Sequence, residues 1–346
     1  MMRALLLLLL LVAPRQETPA QVREAFLKLL DRPKVALDPQ PKEAQIEGEF
    51  VTERLSIASE KKASGETERV PILLVRPARI DGRAPAVIVL HGTGGTKESQ
   101  SGWLANLARK GMIGVAIDAR YHGERVGVTR GAEAYNQAIV RAWRAKPGEP
   151  QEHPFYFDTA WDLWRTVDYL ETRPDVDPKR LGMIGFSMGG IQTWLAAAAD
   201  ERVKVSVPAI GVQGFKWGLE NDRWQARART IAAAHDAAAK DLGETAVNAR
   251  VCRELWGKII PGILDRYDGP SMIRLFAGRP LLVLNGEKDP NCPIEGARLA
   301  FAAAEEAFKA AGCPEKLKID VAAGVAHQVT KEQHDLALAW FERWLK

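Results

Sequence analysis

A serine lies between a predicted strand and a predicted helix, in a setting that suits nucleophilic chemistry. Ser187 is the centre of the pentapeptide GFSMG at 185–189, a G-x-S-x-G pattern, and a further glycine, Gly190, follows it. The run Leu181–Phe186 predicts the strand, and Ile191–Ala199 predicts the helix. A serine at such a junction must adopt a sharp, strained turn, and glycines on either side let neighbouring segments approach closely. The alternative is a serine in an ordinary turn, against which the strand, the helix and the double glycine all argue.

A serine hydroxyl is too weakly acidic to attack a carbonyl unaided, so it needs a base and a group that orients the base. Where this motif is catalytic, an acid and then a histidine follow the serine along the chain. His327 lies in a glycine-bearing loop just after the strand predicted over Leu317–Val321. His334 falls within the last helical pattern, and His235 lies in an alanine-rich helical stretch. We therefore predict that His327 is the base.

The predicted acid also follows a buried strand. Asp289 stands five residues after the strand predicted over Leu281–Leu284. Glu287 is its near competitor, whereas Asp320 lies inside a strand pattern. We expect Asp289 to accept the Nδ1–H of His327, which leaves Nε2 facing the serine.

A glycine-rich loop, HGTGG at 91–95, follows the strand predicted over Ala86–Leu90. Glycines free the backbone to aim an amide at a developing negative charge. We predict an oxyanion hole formed by the backbone N–H groups of Thr93 and Met188.

The same loop does not match the nucleotide-binding patterns. A phosphate loop needs glycine immediately before Lys-Ser/Thr, but here Thr96 precedes Lys97 and Glu98 follows it. The dinucleotide pattern G-x-G-x-x-G would place its third glycine at Lys97. A nucleotide cofactor at this loop is therefore disfavoured.

The elements that must position these residues alternate between strands and helices. Short apolar, β-branched runs suit strands buried on both faces of a mostly parallel sheet. They are Ala86–Leu90, Met112–Ile117, Leu181–Phe186, Val203–Ile210, Leu281–Leu284 and Leu317–Val321. Alternating patterns at Ile46–Val51 and Pro71–Arg76 predict antiparallel edge strands. The fold class is therefore α/β, with a mostly parallel central sheet and helices on both faces.

Two stretches interrupt the alternation. One is Ala119–Phe157, and the other is Gly211–Arg279, whose Ala-, Arg- and Trp-rich pattern is mostly helical. We interpret residues 211–279 as a helical cap insertion. We expect it to start and end at the catalytic edge of the sheet and to overhang Ser187.

The insertion offers candidate substrate contacts. It offers Trp217, Trp224, Trp256 and Tyr267, among which we predict Trp217 and Trp256 as substrate-binding residues. Packing within the insertion is the alternative. Five arginines could meet an acidic substrate or form a salt-bridged face: Arg120, Arg125, Arg223, Arg227 and Arg229.

The composition is that of a globular protein. The hydrophobic fraction is 46% and the charged fraction 27%, which argues against extended disorder and a multi-span membrane protein. The net charge of +4 arises from 48 basic and 44 acidic residues. This balance is unlike the basic surface of a nucleic-acid binder, so no nucleic-acid partner is expected.

The amino terminus predicts a targeting signal. Arg3 precedes an apolar run from Ala4 to Ala13, which is too short to span a bilayer. We interpret residues 1–20 as a signal peptide, cleaved after Ala13 or Ala20, with an uncleaved anchor as the alternative. The mature protein is then expected to be secreted or periplasmic, with no stable membrane insertion. There, two of the three cysteines, Cys252, Cys292 and Cys313, are permitted to form a disulfide.

Four elements in the right order resemble the α/β-hydrolase superfamily: the HGTGG loop, the GFSMGG elbow, the LVLNGEKDP acid segment, and His327 before the final helix. Within it the chain looks most like secreted serine esterases of the dienelactone-hydrolase-like and acetyl-xylan-esterase-like groups, to which the segment DARYHG at 118–123 is also similar. There are departures. Dienelactone hydrolases proper have a cysteine where Ser187 stands, and glucuronoyl esterases carry arginine where Met188 stands.

The resemblance implies an α/β-hydrolase fold over residues 21–346 and a serine hydrolase that cleaves small-molecule carboxylic esters through an acyl-enzyme. A carboxylesterase or a deacetylase would fit, and neither a metal nor a cofactor is required. Two alternatives stay open. One is a serine peptidase of the prolyl-oligopeptidase type without a propeller, and the other is a non-catalytic binding protein on the same fold. The natural ester and the oligomeric state stay undetermined.

Overall fold

The structure is a computed structural model, and it describes residues 17–127 and 132–346. The predicted signal peptide lies almost wholly outside these residues. The first helix, α1 (Pro19–Leu30), is capped by Thr18 through a reciprocal pair of hydrogen bonds with Gln21. Of the two predicted cleavage points, the one after Ala13 leaves this cap intact.

Nine strands of the described residues form one sheet. They are β1 (Gln40–Glu47), β2 (Phe50–Lys61), β3 (Thr67–Pro77), β4 (Ala84–Leu90), β5 (Ile113–Ile117), β6 (Val176–Phe186), β7 (Val203–Ala209), β8 (Leu281–Gly286) and β9 (Leu317–Ala322). The spatial order is β1-β2-β3-β5-β4-β6-β7-β8-β9. Pairings from β5 to β9 are parallel, whereas β1, β2 and β3 pair antiparallel with one another and β3 with β5. The predicted fold class is confirmed.

The antiparallel strands differ from the prediction. The run Ile46–Val51 is a hairpin turn between β1 and β2, with Gly48 at φ +60°, and not one strand. Alternation continues across the turn in sequence, so the pattern did not reveal the reversal. The run Pro71–Arg76 lies in β3, which is an internal strand between β2 and β5.

Helices cover both faces of the sheet. Besides α1, they are α2 (Ser101–Arg109), α3 (Glu133–Arg144), α4 (Phe157–Thr172), α5 (Met188–Ala199), α6 (Phe215–Glu220), α7 (Gln225–Arg229), α8 (Ala232–Asp241), α9 (Ala249–Ile259), α10 (Gly269–Ile273), α11 (Ile294–Ala310) and α12 (Lys331–Leu345). Leu104 of α2 and Phe341 of α12 pack on one face. Helices α1, α4, α5 and α11 pack on the other. Among the described helices, none combines the length and the apolar character needed to cross a membrane.

The insertion leaves the sheet as expected but returns differently. It follows the carboxyl end of β7, with α8 and α9 packed against α3. Because β7 and β8 are parallel, the chain must then travel back to the amino end of β8. Helix α10 makes this return, packed against α5 and α11. The expectation that the insertion ends at the catalytic edge is therefore wrong, and its last part belongs to the layer that covers the sheet.

A buried ionic cluster joins the loop after β5 to α4. Asp162, which is fully buried, accepts hydrogen bonds from Arg120 Nε at 2.6 Å and from Arg125 Nη1 at 2.7 Å. Glu60 and Glu68 pair with the outer sides of the same two arginines. Burial alone would raise the pKa of Asp162, but the two guanidinium groups outweigh it and hold the pKa well below its usual range. Arg120 and Arg125 are thus salt-bridged within the fold, as the alternative interpretation held.

We predict that Asp162→Asn destabilises the protein by about 3–5 kcal/mol, because it leaves two buried arginines without their shared counter-charge. Urea unfolding at neutral pH measures this loss. Because the folded-state pKa is depressed, the contribution of Asp162 is present above about pH 4 and is lost as the pH falls towards the folded-state value. Asp335→Asn, which breaks an exposed pair with Lys331, is the control and should leave the midpoint unchanged. Equal midpoints for Asp162→Asn and the unmutated protein would contradict the assignment.

Candidate active site

Ser187 occupies a strained turn between β6 and α5. Its backbone lies at φ +55° and ψ −111°, in the left-handed half of backbone space that residues with a side chain rarely adopt. Two hydrogen bonds hold the turn: the Ser187 N–H donates to Ala209 O at 3.0 Å, and the Ser187 carbonyl accepts from Ile191 N at 3.0 Å. The turn places the side chain at the carboxyl edge of the sheet, where open α/β sheets hold their sites.

The neighbouring glycines are required by close contacts. A Cβ on Gly189 would lie 2.6 Å from Leu90 O, and one on Gly185 would lie 2.7 Å from Thr193 Oγ1. A Cβ on Gly190 would meet the Ala209 carbonyl oxygen and would lie 3.2 Å from Gly211 Cα. The start of α5 therefore touches the backbone at the ends of β4 and β7, as the glycine pattern predicted.

The structure brings Ser187, His327 and Asp289 into one hydrogen-bonded line. The distance from His327 Nε2 to Ser187 Oγ is 2.7 Å, and the distance from His327 Nδ1 to Asp289 Oδ2 is 2.7 Å. The carboxylate can only accept, so Nδ1 carries the proton and Nε2 is free to accept from the serine. Asp289 is 2% exposed, and its Oδ1 accepts from the amides of Asn291 at 2.8 Å and Cys292 at 3.1 Å.

The competing residues make other contacts. Glu287 is exposed, and its Oε2 accepts from Gly324 N at 2.7 Å. His334 lies against the Trp103 ring, with the two planes tilted by 46° and the centroids 4.1 Å apart. His235 is buried inside the insertion.

The two predicted oxyanion donors, the backbone amides of Thr93 and Met188, belong to segments next to Ser187. Gly92 lies against the elbow, since a Cβ on it would be 3.6 Å from Ser187 Cβ. The turn that starts at Gly92 carries the Thr93 amide, and Met188 is the first residue of α5. Within residues 17–127 and 132–346, neither amide donates a hydrogen bond to another group. Both amides are therefore unused within the described residues, and their role as an oxyanion hole stays a prediction.

A buried arginine supports the acid loop, and the sequence analysis did not anticipate this role. Arg227 is 3% exposed, and its Nη2 donates to Asn291 O at 3.0 Å and to Cys292 Sγ at 3.3 Å. The arginine thereby fixes the two residues whose amides hold Asp289. A spacing rule could not find it, because Arg227 and Asn291 are 64 positions apart.

One atom each of Asp289, Cys292 and His327 lie within 4.8 Å of one another, close enough for a metal ion. The chemistry of these donors fits a hydrogen-bonded relay better. Asp289 and His327 are engaged with each other, and burial raises the pKa of the Cys292 thiol to about 12, which keeps it protonated. All three cysteines are buried free thiols.

The two tryptophans take packing positions. Trp256 is 1% exposed, lies edge-on to Phe215, and donates its indole N–H to His235 Nε2 at 3.0 Å. This does not support a direct substrate contact. Trp217 is half-buried against Gly296 of α11, where a Cβ would come within 2.8 Å of its ring. A substrate role for Trp217 stays a prediction.

A mostly parallel sheet covered on both faces, with a half-buried serine at the strained turn after β6, defines an α/β-hydrolase-fold protein. The sequence profile of the dienelactone hydrolase family matches residues 70–248, more than half of the chain. The chain therefore belongs to the dienelactone hydrolase family, and its resemblance to these hydrolases is confirmed.

Several known proteins are similar to this chain. YitV of Bacillus subtilis (strain 168), named provisionally as an esterase, is 25% identical over 264 residues, which are 75% of this chain and 89% of YitV. Acetyl xylan esterase 1 of Thermoanaerobacterium sp. JW/SL YS485 has the same fold, with 19% identity and a TM-score of 0.66 over 94% of this chain and 93% of that one. A glucuronoyl esterase of Solibacter usitatus has a TM-score of 0.63 at 17% identity, over 93% and 92%. This chain matches three further curated relatives over only 31% to 48% of their own length.

We predict that Gly190→Ala lowers stability by about 1–3 kcal/mol and also lowers activity, because the new methyl group pushes the start of α5 away from the end of β7. Gly257→Ala is the matched control, since Gly257 is also helical but exposed, with nothing within 4 Å of a new Cβ. It should stabilise the protein by up to about 1 kcal/mol. Thermal unfolding and turnover of a p-nitrophenyl ester measure both effects. Two variants with the same stability would show that the contact at Gly190 does not constrain the elbow.

Proposed function

We propose that this protein is a serine hydrolase that cleaves carboxylic esters through an acyl-enzyme. One observation carries the proposal: Ser187 Oγ, His327 and Asp289 form an unbroken line of 2.7 Å hydrogen bonds at the carboxyl edge of the sheet. The amides of Thr93 and Met188, which donate no hydrogen bond within the described residues, are the proposed oxyanion hole. Membership of the dienelactone hydrolase family supports hydrolysis.

In the proposed reaction, Ser187 Oγ attacks the ester carbonyl carbon while His327 Nε2 takes the hydroxyl proton. Asp289 stabilises the imidazolium that forms and keeps its orientation. The Thr93 and Met188 amides donate to the carbonyl oxygen as it becomes negative. The tetrahedral intermediate collapses, and the alcohol leaves with the proton from His327. Water then attacks the acyl-enzyme with His327 as base, which releases the acid and restores the serine.

The substrate is proposed to be a small-molecule ester, with acetyl esters as first candidates. Acetyl xylan esterases and glucuronoyl esterases share the fold, and a half-buried serine needs no displaced domain to be reached. We also propose that residues 1–20 direct export. Amino-terminal sequencing of protein recovered outside the cytoplasm tests this proposal.

We predict that Ser187→Ala and His327→Ala each lower ester hydrolysis by about 10³–10⁶-fold. Both residues lie in loops beyond strand ends, so the thermal unfolding midpoint should change little. Hydrolysis of p-nitrophenyl acetate and labelling by a fluorophosphonate measure the two properties. His334→Ala is the matched control and should retain activity. Activity in Ser187→Ala would overturn the nucleophile.

The same assay separates the alternatives. Cleavage of aminoacyl-p-nitroanilides in preference to p-nitrophenyl esters would indicate a peptidase. A properly folded protein that neither hydrolyses esters nor reacts with the fluorophosphonate would indicate a binding protein.

We predict that Asp289→Asn lowers kcat far more than Glu287→Gln does. The amide cannot stabilise the imidazolium and favours the wrong tautomer of His327, a loss of about 10⁴ in the serine protease case. Glu287 only accepts from the Gly324 amide at the surface, so its variant should stay within a factor of a few. Steady-state kinetics on one ester decide the matter, and the reverse order of effects would move the acid to Glu287.

A further inference from the structure

Two buried histidines, which the proposed reaction does not use, contact the turn that carries the Thr93 amide. His91 and His122 are each 1% exposed, and their rings lie 5.1 Å apart. His91 precedes the turn, whereas His122 belongs to the DARYHG segment at 118–123 after β5. Each imidazole uses both ring nitrogens in hydrogen bonds to backbone groups.

The turn itself spans Gly92 to Gly95. Gly95 N donates to Gly92 O at 3.0 Å, and Gly94 lies at φ +78°, as the third residue of a type II turn requires. In a planar trans peptide the carbonyl oxygen and the amide hydrogen point in opposite directions. The Gly92 C=O and the Thr93 N–H belong to one peptide. A group that binds Gly92 O therefore also fixes the direction of the Thr93 N–H, which points to the opposite side.

His91 holds that carbonyl. The distance from His91 Nδ1 to Gly92 O is 2.8 Å, and Ala119 N donates to His91 Nε2 at 3.2 Å. The second bond identifies Nε2 as the acceptor, so Nδ1 carries the proton and donates it to Gly92 O. The first peptide of the turn is thereby fixed.

His122 holds the second peptide. Gly94 N donates to His122 Nε2 at 3.1 Å, and His122 Nδ1 donates to Arg120 O at 2.8 Å. The middle peptide of a type II turn is the one that can flip, and its amide is Gly94 N–H. A flip would turn this amide away from His122 and change the turn type. The acceptor on His122 opposes this change.

We propose that His122 is a positioning residue that holds the turn in the form in which the Thr93 amide faces Ser187. The proposal rests on the proposed function, since it assigns a support to the oxyanion hole of that reaction. His122 does not touch the substrate, and it acts through Gly94.

The state of His122 suits this role. Burial, with a smaller effect from His91, lowers the pKa of His122 to about 3. The ring is therefore neutral near neutral pH, and Nε2 is available as an acceptor, as the bond from Gly94 N requires. The segment that carries His122 is itself held in place, because Lys97 N and Glu124 N both donate to its Asp118, at 2.9 Å and 3.0 Å.

The test compares His122→Phe with His122→Gln. Phenylalanine keeps an aromatic ring beside His91 and Tyr135 but removes the acceptor, whereas glutamine supplies an acceptor oxygen at about the position of Nε2. We expect His122→Phe to lower kcat about 10–100-fold with little change in KM, because the lost interaction is made in the transition state. We expect His122→Gln to recover most of the loss. If His122→Phe does not fold, His122→Met replaces it as the variant without an acceptor.

Binding of an alkyl trifluoromethyl ketone supplies the second readout, because its tetrahedral adduct places an oxyanion in the hole. Its inhibition constant should rise in His122→Phe by the same factor as kcat/KM falls. His235→Phe is the matched control: His235 is also a buried histidine, with a pKa lowered by burial to about 4 and an Nε2 that accepts from Trp256. It lies away from the turn, so it should lower stability without selectively weakening the adduct.

Three outcomes decide the proposal. Parallel losses in kcat/KM and adduct affinity, recovered in His122→Gln, support it. An unchanged adduct affinity in His122→Phe overturns it, as does a loss of the same size in His235→Phe. Full activity in Ser187→Ala would instead overturn the proposed function. That failure can be told apart from a failure of the positioning role, because the Ser187→Ala result does not involve His122.

Discussion

The site depends on the backbone contact between the start of α5 and the ends of β4 and β7. Ser187 adopts a strained backbone conformation, a cost of order 1–3 kcal/mol, which persists only because its surroundings leave no alternative. All twelve residues of α5 are buried, so the helix cannot tilt to relieve the strain. Gly189 and Gly190 permit the contact, and Ala209 O holds the serine amide. The proposed base, the proposed acid loop and the proposed oxyanion turn are all placed relative to this one fixed junction.

The two sides of Ser187 have opposite requirements, and different residue types meet them. On the acid side, a buried carboxylate needs donors, which Asn291 and Cys292 supply as amides that Arg227 holds in place. On the oxyanion side, an amide must stay unused until charge develops. Neighbouring groups must therefore bind the other polar backbone atoms of the turn and leave the Thr93 N–H without a partner. Two neutral imidazoles do so. Donors thus stabilise the acid loop, whereas at the turn His91 donates to Gly92 O and His122 accepts from Gly94 N.

The sequence predicted the features that are local to a strand and the loop after it. Ser187, Asp289 and His327 each follow an apolar run by a few residues, so order and spacing were enough to bring them to one edge. Features that depend on distant partners were not predictable. Arg227 meets Asn291 across 64 positions, and Asp162 is paired with Arg120 across 42. Trp256 looked like a substrate contact because composition does not reveal which face of a short helix is covered. The return of the insertion to the amino end of β8 follows from the parallel pairing of β7 and β8, because a parallel neighbour must start at the opposite edge of the sheet.

The chemical identity of His122 has a physical reason. A carboxylate could accept from Gly94 N as well as an imidazole does, but it would place a negative charge beside the oxyanion. As a general scale, two like charges separated by about 8 Å at an effective dielectric constant of about 20 would repel by about 2 kcal/mol, which corresponds to roughly a thirtyfold loss in rate. A neutral imidazole accepts without this cost, and its low pKa keeps it neutral. The carboxylate that does lie in this segment, Asp118, is paired with Lys97 Nζ at 2.9 Å, so its charge is compensated. The segment after β5 thus holds the oxyanion turn without adding an uncompensated negative charge next to it.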